Sequence, residues 1–488
     1  MNKSPRPEGN AMSRPLSPLQ QTLLYGSSIA LMKGVSLVML PFIAHHLTTE
    51  AFGRLEVLSS LAVIGSILVG MGLEDTLYRF AGQAPDREKR KRQAARIFGL
   101  TLIIGAIAWV GSWFCAPVIA HWIPGDMSRY EVFLVLSVLS LEGCIAIPLG
   151  WLRMNDRAIA FSVVCTGRAL LQAVLTLLLL LQGGGVTEIL EASLIAALAQ
   201  GLCLALLQQR DSGTIFNPRH YKGLLIYSLP IVAAGLCAFA LNGLDRWILA
   251  DRMSMSEVAQ YGVAAKFALA AILLLQPFGM WWSPRRFQVL NGPTGKTEAA
   301  HFAAMGVAIA LIITVLVGLT SPLLIHWLLP SDYAQAAAYV TGLTLAMAFK
   351  ECGELLNIGC FTGRTTQAQF VINLAGAVCG LILIFPLIDH YGVWGAVIAL
   401  TLAHTLRLML FYWLSQHYYP LPYPTTRLSI LLLLCLGGLS CSLWVEGIAQ
   451  QLALALIATT TMVAAALYLK LIPLPQHLWE RKAGVPCT

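Results

Sequence analysis

The stretch AAHFAAMGVAIALIITVLVGLTSPLLIHWL, residues 299–328, contains no Lys, Arg, Asp or Glu. A helix needs about 20 apolar residues to cross the hydrocarbon core of a bilayer. This stretch is long enough to do so, and comparable stretches recur along the whole chain. We therefore expect membrane-spanning helices to decide the fold.

Outward from this stretch, the same pattern of apolar runs separated by charges, Pro and Gly predicts fourteen transmembrane helices. The 488 residues are 57% hydrophobic and 11% charged, whereas an average soluble domain carries about 25% charged residues. We predict an all-α membrane protein with no large domain outside the bilayer, and therefore not an enzyme. The predicted spans are residues 22–46, 55–78, 97–121, 131–151, 158–181, 187–208, 224–250, 257–284, 299–328, 334–360, 366–388, 391–415, 428–446 and 449–469.

Neither the cysteines nor the net charge indicates a cofactor or a nucleic-acid partner. The 11 Cys are scattered, mostly within apolar runs, without the spacing of a metal or redox site. The net charge of +8 comes from basic residues that lie between apolar runs, whereas nucleic-acid binding needs them gathered on one soluble face. We predict no metal, no cofactor and no nucleic acid.

The basic residues indicate the orientation of the chain in the membrane. Cytoplasmic loops of membrane proteins carry an excess of Lys and Arg. Here the basic residues gather in every second connection, whereas the connections on the other side hold only Arg54, Arg129 and Arg252. We predict that both terminal tails, residues 1–21 and 470–488, are cytoplasmic.

An internal repeat divides the chain. Arg157 precedes Val186 by the same number of residues that separates Arg364 from Val393. Because each half contains six spans, the two halves share one orientation, which is the arrangement of a parallel repeat. A cavity between two such halves is the natural path of a substrate.

The repeat therefore predicts the organisation of the chain. We predict an N-lobe at residues 22–208 and a C-lobe at residues 222–415, related by pseudo-symmetry. Two additional helices at residues 428–469 follow the C-lobe.

Several short motifs resemble one transporter family. Leu40-Pro41, EAFG at residues 50–53, Leu244-Asp245-Arg246 and GVWGA at residues 392–396 are similar to motifs of the oligosaccharide flippases. These flippases are the polysaccharide-transporter (Wzx-type) branch of the multidrug/oligosaccharidyl-lipid/polysaccharide (MOP) exporter superfamily. The resemblance extends from about residue 20 to residue 415.

This resemblance implies a function. Such flippases move undecaprenyl-pyrophosphate-linked oligosaccharide units from the cytoplasmic to the periplasmic leaflet of the bacterial inner membrane, by alternating access of two lobes. The units are used for O-antigen, capsule or exopolysaccharide. The implied partners are the lipid-linked oligosaccharide, membrane lipids, and polysaccharide polymerase and chain-length proteins.

Basic residues within the spans are candidates for binding this substrate. A basic residue near the bilayer centre costs about 2.5–3.5 kcal/mol and usually faces the interior of the bundle or an aqueous cavity. A cationic lumen would replace the hydration that a pyrophosphate loses. The candidate lumen residues are Lys33, Arg168, Arg246, Lys266 and Lys350.

Each of these candidates also has a structural interpretation. Lys33 and Lys266 are equally consistent with interhelical ion pairs, and Arg246 with a solvated position beside Asp245. For Lys350 we favour an ion pair with Glu354, four residues away. The remaining alternatives are a pair between Arg168 and Glu142, and for Arg407 a structural role beside His404.

Acidic and proline residues within the spans predict coupling and hinges. Desolvation favours the neutral carboxyl, so a buried acid can bind and release a proton as its surroundings change. Proline frees a backbone carbonyl at which a helix can bend. The candidates for coupling to an H⁺ or Na⁺ gradient are Glu142, Asp245, Glu351 and Glu354, and the hinge candidates are Pro41, Pro230 and Pro277.

Three other functions stay open. A MATE-like multidrug exporter would move organic cations and should line its cavity with acids. A membrane-embedded enzyme acting on lipid-linked sugars should show clustered Asp, Glu or His at one membrane face, or a long loop. A structural subunit of a polysaccharide export machine needs neither feature.

Overall fold

The computed structural model describes residues 18–283, 285–361, 367–445 and 447–472. Most of the two predicted tails, and Arg364 of the repeat, lie outside the described residues. The described chain forms the following α-helices: α1 (Pro18–His46), α2 (Thr49–Gly70), α3 (Leu73–Gly82), α4 (Arg87–Trp122), α5 (Arg129–Ser140), α6 (Glu142–Met154), α7 (Ala158–Leu181), α8 (Val186–Asp211), α9 (Pro218–Asn242), α10 (Leu244–Arg252), α11 (Met255–Trp282), α12 (Arg286–Leu290), α13 (Gly295–Leu328), α14 (Ala336–Leu356), α15 (Gln367–Tyr391), α16 (Val393–Tyr418), α17 (Thr425–Cys441) and α18 (Ile448–Tyr468). Short 3₁₀ helices form at Ser331–Tyr333, Ile358–Phe361 and Ser442–Trp444.

The helices confirm the predicted fold class. Twelve segments of the described chain are long and apolar enough to cross a membrane, and two of these combine α2 with α3 and α5 with α6. The predicted tenth and thirteenth spans correspond to α14, which carries charged residues near its end, and to α17, which has 17 residues. The chain is an all-α membrane protein with about fourteen transmembrane helices.

Some helices extend beyond their predicted spans. The charged residues 87–92 were expected in a connection, but they form the first turns of α4. Asp86 caps this helix by accepting a hydrogen bond of 2.7 Å from the backbone N–H of Lys89, and this bond lowers the pKa of the Asp86 carboxyl. Hydropathy detects only the part of a helix that lies in lipid, so it misses a capped, charged extension into water.

The two lobes repeat the same helix pairings. In the N-lobe α1 packs on α7, α7 on α8, and α4 on α5; in the C-lobe α9 packs on α15, α15 on α16, and α13 on α14. Gly185 and Gly392, which the repeat aligns, each precede the last helix of their lobe as its N-cap. The predicted architecture of two pseudo-symmetric six-helix lobes is therefore confirmed.

The two additional helices pack on the outside of the C-lobe. Both α17 and α18 contact α13. Leu431, Leu439 and Met462 are buried in the apolar cluster that α13 and α14 share with them. These helices extend the C-lobe rather than the contact between the lobes.

Most contacts between the lobes lie along two seams, and α1 also contacts α11. We call the end of the bundle that holds the α3–α4, α6–α7 and α8–α9 connections the basic end, and the other end the opposite end. Near the opposite end α2 packs against α11 and α10, and this contact is the opposite-end seam. Towards the basic end α2 and α3 pack against α9, and this contact is the basic-end seam.

The three candidate hinge prolines do not interrupt their helices. Pro41, Pro230 and Pro277 each lie inside a helix that continues past them. The break between α2 and α3 falls instead at Met71 and Gly72, whose φ angles of 48° and 59° are left-handed. The hinge role of the three prolines stays a prediction.

Candidate functional site

Two glycines let the lobes approach closely at the opposite-end seam. A Cβ at Gly53 on α2 would collide with the backbone carbonyl oxygen of Met255 on α11. A Cβ at Gly262 on α11 would lie 2.5 Å from Cγ of Glu56 on α2. The absence of a side chain at both positions brings the two helix backbones together around Glu56.

Glu56 is buried between the lobes and paired with two cations. Its side chain is 3% exposed. Lys266 Nζ on α11 forms an ion pair with Oε1 of Glu56, and Arg246 Nε on α10 lies 3.3 Å from Oε2. Both partners belong to the C-lobe, so the carboxylate of the N-lobe is held by the other half of the molecule.

Asp245 completes this arrangement from the C-lobe. It is 5% exposed, and its carboxylate accepts a hydrogen bond from the Tyr261 hydroxyl. Arg246 Nη1 lies 3.4 Å from Oδ1 of Asp245. The expectation that Asp245 and Arg246 are simply solvated is therefore wrong, because α10 turns back into the contact between the lobes. We call Glu56, Asp245, Arg246, Tyr261 and Lys266 the seam cluster.

Two hydrogen bonds to backbone carbonyls reinforce the seam cluster. The Ser60 hydroxyl on α2 donates to the carbonyl of Gly243, where α9 ends, at 2.5 Å. Trp247 Nε1 on α10 donates to the carbonyl of Val57 at 3.4 Å. Each bond crosses from one lobe to the other, so the seam is held by polar contacts as well as by apolar packing.

Sequence reasoning missed Glu56. The residue lies one position inside the predicted second span but is not among the predicted site residues. Its signal is nevertheless present in the sequence, because Glu56 is the one charged residue in the run from residue 55 to residue 73, and such residues usually face the bundle interior.

A cavity with a mostly apolar wall adjoins the seam cluster. Its volume is about 250 Å³, and N-lobe helices form most of its wall. The Lys266 side chain is 32% exposed and reaches from the C-lobe into this wall. The polar residues that line the cavity with Lys266 are Ser36, Ser59, Gln172 and Ser193.

The other N-lobe candidates lie apart from the seam cluster. Lys33 on α1 is exposed, and within the described residues it makes no ion pair or hydrogen bond. Arg168 Nη1 donates to Oε1 of Gln200 at 2.9 Å. The ion pair considered between Arg168 and Glu142 is not formed, because the Arg168 guanidinium donates its hydrogen bond to the side-chain amide of Gln200 on α8 instead.

The expected ion pair between Lys350 and Glu354 is wrong. Glu354 Oε1 instead lies 3.1 Å from Arg407 Nη2 on α16, and Lys350 Nζ lies 3.7 Å from the neighbouring Glu351. The physical reason is that Arg407 is fixed in place beside Glu354 and offers it a hydrogen-bonded partner from another helix.

Arg407 ties three helices of the C-lobe together. Asn373 on α15 accepts hydrogen bonds of 3.0 and 2.7 Å from the guanidinium, and Nη1 lies 3.1 Å from Nδ1 of His404. A Cβ at Gly376 would overlap the Arg407 stem, so this glycine makes room for it. These contacts agree with the structural role expected of Arg407.

The structure thus brings only part of the predicted site together. Asp245, Arg246 and Lys266 meet at the opposite-end seam, whereas Lys350, Glu351 and Glu354 lie together on α14. Within the part of the chain that the structure describes, no group of three or more His, Cys, Asp or Glu residues has the geometry to hold a metal ion.

Two pseudo-symmetric helical lobes in a membrane, with charged groups at the contact between them, define the class of protein by its fold. The fold is similar to that of a solved "Lipid II flippase MurJ, inward closed conformation", with a TM-score of 0.72, 10% sequence identity and coverage of 92% of this chain and 99% of that chain. It is also similar to an inward-facing multidrug resistance MATE family transporter of the MOP superfamily, with a TM-score of 0.60, 15% identity and coverage of 81% and 94%.

Sequence comparison gives the family. The profile of the family described as "Polysaccharide biosynthesis protein" matches residues 19–289, more than half of the chain. The chain belongs to this family. An uncharacterized membrane protein of Haemophilus influenzae is 23% identical over 391 residues, which cover 74% of this chain and 91% of that protein.

Family and fold together confirm the resemblance that the motifs indicated. The chain is a multi-pass membrane protein of a polysaccharide biosynthesis family, with the fold of a lipid II flippase and of MATE transporters.

Proposed function

We propose that this protein moves undecaprenyl-pyrophosphate-linked oligosaccharides from the cytoplasmic to the periplasmic leaflet of a bacterial inner membrane. The observation that carries the proposal is that two basic side chains of one lobe pair with a buried carboxylate of the other lobe, in a chain of a polysaccharide biosynthesis family. Both termini and the basic end are proposed to face the cytoplasm, where the substrate is loaded.

The proposed transport relies on cations that replace water around the substrate headgroup. Moving a pyrophosphate through hydrocarbon without such partners would be prohibitive, and charge-assisted hydrogen bonds are the strong replacement. Arg246 and Lys266 line the contact that must open on one side, and Lys33 is an exposed cation on α1. The isoprenoid tail stays in lipid while the headgroup passes between the lobes.

A reconstitution experiment tests this function. The purified chain is placed in liposomes that contain a lipid-linked oligosaccharide, and a membrane-impermeant glycosidase reports how much of it has changed leaflet. We expect transport by the wild type, a large loss for Lys33→Ala and partial recovery for Lys33→Arg, because charge matters more here than side-chain shape. Lys222→Ala, an exposed lysine at the start of α9, is the matched control.

Each outcome of this assay has a separate meaning. Full transport by Lys33→Ala removes that residue from the path but leaves the function intact. An inactive wild type that becomes active only with a second protein indicates a structural subunit. Chemical change of the substrate indicates an enzyme, and transport of organic cations instead of the oligosaccharide indicates a multidrug exporter, whose fold this chain shares.

We further propose that an H⁺ or Na⁺ gradient drives transport, without a resident cofactor. Asp245 and Glu354 are bound to arginines, so their ionised forms are compensated. Glu351 has only the more distant Lys350 as an ion-pair partner in the described chain, which makes it the first coupling candidate. Glu142, for which the described residues provide no ion pair, is the second.

Imposed gradients test this coupling. Wild-type flux into liposomes should rise under a proton or sodium gradient, and Glu351→Gln should lose that response while keeping basal flux. Glu142→Gln is compared in the same vesicles. Wild-type flux that ignores both gradients, or a full response of both variants, contradicts the proposed coupling. The transported units are then proposed to pass to polysaccharide polymerase and chain-length proteins.

A further inference from the structure

The ion pairs of Glu56 join a carboxylate of one lobe to two cations of the other lobe. Its carboxylate belongs to α2 of the N-lobe, and both cations, Arg246 and Lys266, belong to the C-lobe. Any movement that opens the opposite-end seam must therefore separate one buried anion from two partly buried cations. Removing one partner of a buried ion pair is strongly unfavourable, so this separation needs a substitute.

The two cations differ in whether a carboxylate remains beside them when the opposite-end seam opens. Arg246 retains Asp245, its neighbour on α10, which lies 3.4 Å away. Within the described chain Lys266 has no carboxylate partner other than Glu56. Its remaining close neighbour is the Phe52 ring, 4.8 Å from Nζ, and this ring also belongs to the N-lobe. Lys266 is therefore the group that opening leaves without a counter-charge.

A place for a substitute anion adjoins Lys266. The cavity of about 250 Å³ is bounded mostly by apolar side chains, and Lys266, Ser59 and Gln172 are among its few polar groups. One water takes up about 30 Å³ of liquid, so a phosphate group with accompanying water fits this volume. An ammonium that can be reached in such a cavity is a strong partner for a phosphate oxyanion, because hydrogen bonds between charged groups are stronger than neutral ones.

We propose that the cavity beside Lys266 is an anion subsite, in which a phosphate oxyanion of the substrate replaces the Glu56 carboxylate on Lys266 and thereby releases the opposite-end seam. The proposal rests on the proposed function, because it assigns the ligand exchange to the pyrophosphate of a lipid-linked substrate. Glu56 is then a positioning residue that occupies the anion subsite while no substrate is bound. Substrate loading and opening become one exchange of counter-ions on Lys266.

This exchange predicts whether replacing Glu56 strengthens or weakens the binding of an anion. Because Glu56 competes with the substrate for Lys266, its removal must strengthen anion binding. We expect Glu56→Gln to tighten binding of a short-chain isoprenyl pyrophosphate by about tenfold, which corresponds to about 1.4 kcal/mol. Lys266→Gln should abolish this gain, and the double variant should bind no better than Lys266→Gln alone.

The measurement uses the full chain in nanodiscs of neutral lipid, with titration of the isoprenyl pyrophosphate followed by calorimetry. Glu351→Gln is the matched control, because it also removes an intramembrane acid, but one that does not contact Lys266. If it tightens binding equally, general electrostatics explain the gain and the proposal is wrong. Glu56→Asp, which retracts the carboxylate by one methylene, should give a smaller gain and serves if Glu56→Gln does not fold.

Further measurements identify the source of the phosphate. They also distinguish failure of this inference from failure of the proposed function. In one arm the isoprenyl pyrophosphate is left out and binding of phosphatidylglycerol is measured instead. If phosphatidylglycerol binds Glu56→Gln more tightly than the wild type, a lipid headgroup fills the subsite and the substrate assignment falls. If free inorganic pyrophosphate binds equally well, the lipid part plays no role in the exchange and the assignment also falls. A wild type that binds the probe, with no gain in folded Glu56→Gln or Glu56→Asp, overturns only this inference. A folded wild type that binds no isoprenyl pyrophosphate at all contradicts the proposed function itself.

Discussion

The two seams between the lobes are built from different interactions. At the opposite-end seam, Glu56 is buried with the cations Arg246 and Lys266. At the basic-end seam, Arg79 on α3 lies 4.3 Å from the ring centroid of Tyr227 on α9, and Arg79 is exposed. One seam is held by ion pairs between a buried carboxylate and two partly buried cations, and the other by an aromatic contact that water reaches.

This difference makes the two seams unequal barriers. Removing one partner of a buried ion pair costs about 3–5 kcal/mol, whereas an exposed cation–π contact contributes about 0.5–1 kcal/mol. We therefore expect the basic-end seam to open readily and the opposite-end seam to open only with a compensating ligand. If the basic end faces the cytoplasm, this inequality favours loading from the cytoplasmic side.

The largest effect is expected from breaking the seam cluster on one side only. Glu56→Leu leaves the partly buried Lys266 without its carboxylate, and we expect a loss of up to about 3–5 kcal/mol in the stability of the folded protein. Thermal unfolding in detergent measures this loss. The apolar double replacement Glu56→Leu with Lys266→Met should recover most of the stability and still fail to transport, because it lacks the cation.

The double variant separates stability from function. If the double variant is no more stable than Glu56→Leu alone, the ion pair is not what stabilises the opposite-end seam. If it is stable and transports at the wild-type rate, Lys266 is not a substrate-binding residue. A matched replacement in the C-lobe, Glu354→Gln, disturbs an ion pair that does not cross between lobes and tests whether position matters.

A smaller effect is expected from adding one methyl group at each seam. Gly53→Ala would place Cβ against the backbone carbonyl of Met255, which cannot rotate away. Overpacking of this kind costs about 1–3 kcal/mol. In Gly235→Ala the new Cβ meets a side-chain methyl of Ile67 at 2.8 Å, which another rotamer of Ile67 can relieve.

Thermal stability and transport of these two variants are measured side by side. We expect Gly53→Ala to lose transport because the opposite-end seam no longer closes, and Gly235→Ala to stay close to the wild type. Equal losses in the two variants would mean that the seams do not differ in how rigidly they are packed.

Loss of the aromatic contact at the basic-end seam should have a modest effect. Tyr227→Leu removes the ring that contacts Arg79 and packs edge-on against Phe80, 5.5 Å away. We expect a stability loss of about 0.5–1.5 kcal/mol, measured by thermal unfolding. Tyr468→Leu, at an exposed ring on α18, is the control, and a loss as large as that of Glu56→Leu would show that the seams are equally strong.

Most of the fold could be predicted from the sequence because lipid imposes a simple rule. A span must be apolar over its whole length and satisfy its own backbone hydrogen bonds, so runs such as residues 299–328 are visible without structural knowledge. The repeat could also be predicted, because equal spacing along the chain places Val186 and Val393 at the starts of corresponding helices. The charged start of α4 was not visible, because it lies in water.

The site was harder to predict because charge partners depend on packing between distant helices. The spacing of Lys350 and Glu354 permits a pair, yet Arg407 from another helix takes the carboxylate. Glu56 and Lys266 are separated by more than two hundred residues and meet only because Gly53 and Gly262 let α2 and α11 approach. No pattern within a single helix encodes that contact.

The prediction with the smallest effect on the protein concerns which seam faces which compartment. We expect a cysteine at Glu88, exposed at the start of α4, to be shielded from a membrane-impermeant thiol reagent in intact cells. A cysteine at Glu50, exposed at the start of α2, should react, because positive connections are retained in the cytoplasm. Both sites lie outside the seam cluster, so transport should stay at its wild-type level in a background that lacks the exposed native cysteines, and lysed cells serve as the control in which both sites react. The opposite labelling pattern would invert the comparison, because the strong, ion-paired seam would then close the protein towards the cytoplasm and loading would have to begin at the other leaflet.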